Sequence, residues 1–122
     1  MSDRIHTETT PDGVTVVALG AEYENLNEPL LEDLEAFLLE TADRISPPLL
    51  LLDLSHTRFF GSAFLEALFR VWSRLKKRGD GRFALCGLTE YCAEVIETTH
   101  LERLWTVAAN RDDAVKALLS RE

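Results

Sequence analysis

Leu49-Leu50-Leu51-Leu52-Asp53-Leu54-Ser55-His56-Thr57-Arg58-Phe59-Phe60-Gly61-Ser62-Ala63-Phe64-Leu65 is the stretch whose reading decides the fold. Leu49 to Leu54 is apolar except at Asp53. A continuous apolar run of that length predicts a strand covered on both faces. A short polar loop follows, and then an amphipathic helix. Ser62 stands at the loop-to-helix junction. A hydroxyl there has two readings: it caps the helix, or it accepts a phosphate.

Downstream, the helix is predicted over about Ser62 to Lys77. Leu65, Leu68, Trp72 and Leu75 form its inward stripe, broadened by Phe64, Phe69 and Val71. Arg78-Gly79-Asp80-Gly81 breaks it, with Gly79 suited to a left-handed C-terminal position. Arg82 to Gly87 reads as a strand. A short helix begins at Thr89 or Glu90 and carries Tyr91, Val95 and Ile96. Leu104 to Val107 reads as a short strand. Asn110 caps a last helix, with Ala114, Val115, Leu118 and Leu119 facing inward.

Upstream, Pro11-Asp12-Gly13 marks a turn between a polar, Thr-rich segment from Ile5 and the β-branched strand Val14 to Leu19. A long helix follows, with Asn27 as N-cap and Pro29 in its first turn. Leu30, Leu31, Leu34, Phe37, Leu38 and Leu39 keep helical spacing, and Ser46-Pro47-Pro48 ends it. The order is β-β-α-β-α-β-α-β-α. Strands alternating with helices imply right-handed crossovers and a mainly parallel sheet with one antiparallel edge strand.

The 122 residues are 46% hydrophobic and make one domain, residues 1–122. By surface scaling, roughly two-thirds of the unfolded chain's surface is buried on folding, enough for a core without metal or disulfide staples. The net charge of -8 repels nucleic-acid backbones and anionic lipid. The basic run Arg70, Arg74, Lys76, Lys77, Arg78, Arg82 reads as the solvated end of one helix. Cys86 and Cys92 have no histidine at ligand spacing, so no zinc pattern arises and no cofactor is expected. No signal peptide opens the chain and no apolar run is long enough to span a bilayer. A reducing cytoplasm is the expected compartment, without membrane insertion.

Leu52-Asp53-Leu54-Ser55, Phe59 to Leu65, the long helix, the strand Phe83 to Gly87 and the segment Leu88 to Ile96 together resemble the STAS domain, and more narrowly the anti-sigma factor antagonist family. The resemblance runs from about Ile5 to Leu119. It implies a STAS fold, a mixed, mainly parallel sheet of about five strands with about four helices. It also implies a regulatory protein and not an enzyme. In that family the junction usually reads Asp-Ser-Ser/Thr-Gly-Leu, and the first hydroxyl residue is phosphorylated by a partner that is both anti-sigma factor and serine kinase, of the histidine-kinase-like ATPase type. The unmodified form binds that partner and releases the sigma factor. By position the phosphoacceptor here is Ser62. The usual Asp is Gly61, the second hydroxyl residue is Ala63 and the glycine is Phe64, so that only Ser62 and Leu65 match. The partner-binding surface implied is Gly61, Ser62, Ala63, Phe64 and Glu66.

Phe64 either stands on the first helical turn as an anchor for a partner or folds back into the core with Phe59 or Phe60. Asp53 is expected to bond loop amides. Glu22, Glu24 and Glu28 form either a solvated surface or an acidic rim for a basic partner face. A second function fits the resemblance, a STAS subunit that binds the nucleotide-binding component of a lipid-transport ABC system. A third, of another class, is a nucleotide-binding protein or enzyme using Ser62, Asp53 and His56. The chain has no glycine-rich phosphate loop to support it. His6, His56 and His100 are scattered and lack metal spacing.

Overall fold

A computed structural model describes residues 5–26 and 28–120. Five strands, β1 (Ile5–Thr9), β2 (Thr15–Leu19), β3 (Leu49–Asp53), β4 (Arg82–Cys86) and β5 (Thr106–Ala108), form one sheet in the order β1-β2-β3-β4-β5. β1 pairs antiparallel with β2 and every other pairing is parallel. The helices are α1 (Glu28–Arg44), α2 (Ser62–Lys76), α3 (Glu90–Thr98) and α4 (Arg111–Leu119), with single 3-10 turns at Ala21–Tyr23 and Leu101–Arg103. The expected order of elements is the observed one. Asn27, read as the N-cap of α1, lies outside the described residues.

Alternation along the strands divides the core in two. Val17, Leu19, Leu50, Leu52, Leu54, Phe83 and Leu85 point to the side where α1, α2 and α3 pack. Val14, Val16, Leu51, Ala84 and Cys86 point to the other side, against Ala114 and Leu118 of α4. β3 is therefore covered on both faces, as its apolar run requires. Asp53 shares the parity of Leu51 and faces α4.

Turn chemistry holds the ends. The Gly13 N–H donates to the Thr10 carbonyl at 2.9 Å, and Gly13 sits at φ 98°. Gly79, at φ 89°, follows the C-terminus of α2 in the left-handed conformation expected of it. Thr89 caps α3, its Oγ1 accepting from Cys92 N at 3.3 Å, and Asn110 caps α4, its Oδ1 accepting from Asp113 N at 2.9 Å.

Four expectations change. β5 begins at Thr106, because Leu104 and Trp105 close a 3-10 turn on the Leu101 carbonyl. Leu119 is exposed, since in helical phase it stands off the inward stripe of Ala114 and Leu118. Phe69 is also exposed, standing off the inward stripe of α2 and beside Trp72 with ring centroids 5.4 Å apart. The basic run is not simply solvated. Arg70 pairs with Glu35, Arg74 Nη1 lies 2.6 Å from Asp43 Oδ2, and Arg78 donates to the Ala42 and Ile45 carbonyls. Its arginines tie α2 to the acidic face and C-terminus of α1. No described helix is long and apolar enough to cross a membrane.

Candidate functional site

The site is built at the C-terminal end of β3. There Asp53 Oδ1 accepts from the Ser55 N–H at 2.9 Å and from Ser55 Oγ at 2.5 Å. Asp53 Oδ2 accepts from Arg111 Nε at 2.8 Å, and Arg111 Nη1 reaches Glu8 Oε2 at 3.0 Å. Burial pushes the Asp53 carboxyl up, but the bonds from Ser55 and Arg111 outweigh it and hold the group below its ordinary value. One carboxylate thus fastens the start of the loop, the first turn of α4 and, through Arg111, the edge strand. Gly87, at φ 74°, passes so close that a Cβ there would meet Ser55 Oγ at 2.4 Å. A side chain at residue 87 would dislodge this corner.

The loop is then clamped from both sides. Arg58 N and Phe59 N donate to the Glu24 carbonyl at 2.8 and 3.1 Å, and Leu26 N donates to the Phe59 carbonyl at 3.1 Å. On the other side Cys92 Sγ in α3 lies 3.4 Å from the Arg58 carbonyl. Burial pushes the thiols of Cys86 and Cys92 up, that of Cys86 to about 12, so both stay protonated and apolar in character.

At the junction Gly61 is the N-cap of α2, with extended backbone and no side-chain cap bond. Its carbonyl accepts from Phe64 N at 3.1 Å and Leu65 N at 3.4 Å. Ser62 is therefore the first helical residue and not the cap that its position suggested. A side chain at this first position cannot fold back on the N–H groups as an N-cap side chain does. Gly61, Ser62, Ala63 and Glu66 are exposed. Phe64 is 1% exposed and packs on Phe60 with ring centroids 4.9 Å apart. Of its two readings the core one holds, and Phe64 leaves the partner-facing set. The reason is helical phase: Phe64 and Leu65 begin the inward stripe that continues through Leu68.

Ser62, Asp53 and His56 are not brought together. Asp53 is turned to the α4 side and engaged by Ser55 and Arg111, and among the described residues no hydrogen bond joins Ser62 to either group. No cluster of His, Cys, Asp and Glu suited to a metal occurs among the described residues. Of the acidic rim, Glu24 lies beside the site and faces Arg58 at 3.4 Å. The side chain of Glu28 lies outside the described ones.

A family model, the STAS domain, matches residues 7–114. The chain belongs to the STAS domain family. An anti-sigma-factor antagonist (STAS) domain protein from Planctomyces limnophilus is 34% identical, with a TM-score of 0.85 over 95% of this chain and 98% of the other. An anti-sigma factor antagonist from Mycobacterium paratuberculosis is 26% identical, with a TM-score of 0.79 over 95% and 93% of the two chains. A putative anti-sigma factor antagonist from Thermotoga maritima shares the fold, at 19% identity and a TM-score of 0.80 over 97% of each chain. No protein with a curated functional description matches the chain.

This STAS domain carries two features that sequence reasoning missed. Arg111 is the long-range partner of Asp53, and nothing in its neighbourhood beyond the Asn110 cap marks it. Phe59 and Tyr91 form an exposed aromatic pair, 52% and 50% accessible with centroids 5.6 Å apart, beside the junction. The unusual exposed aromatic of this junction is therefore Phe59, on a backbone bonded to the β2–α1 loop, and not Phe64.

Proposed function

We propose that this STAS protein is an anti-sigma factor antagonist. It would bind an anti-sigma factor that is also a serine kinase of the histidine-kinase-like ATPase type, through Gly61, Ser62, Ala63 and Glu66. Phosphorylation of Ser62 would control that binding in a partner-switching cycle in the cytoplasm. The observation that carries the reading is the exposed Ser62 hydroxyl on the first residue of a helix that is anchored in the core by Phe64 and Leu65. The two relatives named as anti-sigma factor antagonists at 34% and 26% identity support it.

The physics of a switch follows from the helix end. The first N–H groups of a helix have no intrahelical acceptor, and the dipole there favours negative charge. A phosphate on Ser62 adds about -1.5 to -2 charges and meets that favourable end. No acidic residue stands in the first turn, and the nearest carboxylate along the helix is Glu66, one turn on. The fold tolerates the modification, while a partner surface packed against a small neutral hydroxyl does not. Gly61 leaves the acceptor without the neighbouring carboxylate usual in the family. The kinase would therefore have to position Ser62 from its own side.

The deciding experiment is phosphopeptide mass spectrometry on the protein isolated from its native cells in growth and under stress. Condition-dependent phosphate on Ser62 is the expected result. Its absence in every condition, together with unchanged kinase binding by Ser62→Asp, would overturn the switch.

A further inference from the structure

At the opposite end of the sheet from Ser62, a cavity of about 430 Å³ opens where the C-terminal half of α2, the start of β4 and the Arg103–Thr106 segment meet. That volume lies within the usual range for small-molecule sites. Trp72, Phe83 and Trp105 supply its rings, with the Trp105 centroid 5.4 Å from Phe83 and 6.5 Å from Trp72 in edge-on arrangements. Lys76, Arg82 and Arg103 supply its charges, and no carboxylate is among its described lining residues.

Arg58, Arg70, Arg74 and Arg111 each face a carboxylate. Among the described residues the three cations of the cavity face none. Arg82 donates to the Leu118 and Ser120 carbonyls, and Lys76 Nζ stands 5.6 Å from the Trp72 ring centre. One further group is unsatisfied. Trp105 Nε1 is buried with no acceptor among the described residues.

We infer that this cavity binds a small planar aromatic anion, an aryl carboxylate in chemical class. The ring packs beside Trp72, where an offset or edge-on contact is favourable. The carboxylate lies between Lys76 and Arg103, forming charge-assisted bonds. The Trp105 indole borders this position. This site is independent of the partner-switching reading, being built from other elements at the far end of the sheet.

The two tryptophans of the chain both line the cavity, so each indole N–H reports on it. The ¹⁵N-labelled full chain is titrated with 2-naphthoate and followed by its two indole signals, assigned with Trp72→Phe. Neutral 2-naphthalenemethanol and ring-free acetate are the controls. The expected result is a saturable shift of the Trp105 signal with naphthoate, with both controls weaker by about tenfold or more, the effect of losing a charged contact or a stacked ring. Lys76 and Arg103 are exposed. Lys76→Gln and Arg103→Gln, singly and together, should weaken naphthoate without moving the unfolding midpoint. No saturable shift, equal binding of the neutral alcohol, or wild-type affinity in the folded variants would each overturn the inference.

Discussion

The two ends of α2 are built on opposite principles. At its C-terminal half, Arg70, Arg74 and Arg78 reach across to Glu35, Asp43 and the last carbonyls of α1. At its N-terminus, Gly61, Ser62 and Ala63 are exposed, no side chain caps the helix and no acid stands in the first turn. The near end is held from beneath, by Phe64 and Leu65 in the core, and from behind, by the clamped loop. A helix fastened at its far end and by its inner face leaves the outer surface of its first turn available to a modifying group or a partner.

The largest test of that contrast is Phe64→Ala. Truncating a buried aromatic is expected to cost about 3–5 kcal/mol in urea unfolding. A small loss, with weakened kinase binding instead, would mean that Phe64 leaves the core and serves the surface. Next comes the corner behind the loop. Asp53→Asn should cost about 1–3 kcal/mol at neutral pH, the range for disrupting a buried charged network. Because the folded Asp53 carboxyl lies below its ordinary value, its contribution is full above the unfolded carboxylate range. It fades as pH falls through the lowered value, so the wild type and Asp53→Asn should converge in stability in strong acid. Persistence of the gap there would assign the loss to packing.

Arg78→Ala probes the far end. It removes the donor to the Ala42 and Ile45 carbonyls and should cost about 1 kcal/mol by thermal unfolding, as one hydrogen-bonding side chain does. The smallest effect is expected from Gly61→Asp. A Cβ at Gly61 meets nothing within 4 Å, and aspartate is a better N-cap than glycine by only a few tenths of a kcal/mol. Stability should rise slightly. Faster phosphorylation of Ser62 in this variant would show that the family carboxylate assists the kinase, and an unchanged rate would show that the kinase supplies what it needs.

Much of this was legible from spacing. The leucine run 49–52, the stripe Leu65-Leu68-Leu75, the Gly79 stop and the Asn110 cap are local signals, and each produced the element it announced. Ser62 was legible as the opening of α2. That Gly61 and not Ser62 is the N-cap was not legible, because a shift of one residue at a helix start turns a cap into a first-turn side chain. Phe69 and Leu119 belong to apolar patterns but lie where no neighbouring layer reaches them.

The sequence by itself determined the alternation of strands and helices, the double burial of β3 and the place of the exposed hydroxyl, since hydrophobic period and backbone chemistry act within a few residues. Only the tertiary structure decided that Phe64 is core, that the basic run serves α1 and that Asp53 meets Arg111, 58 residues away. It likewise decided that Lys76, Arg82 and Arg103 gather beside the two tryptophans. These depend on which segments the sheet order sets side by side, and Coulomb and packing forces act on that distance in space, whatever the separation along the chain.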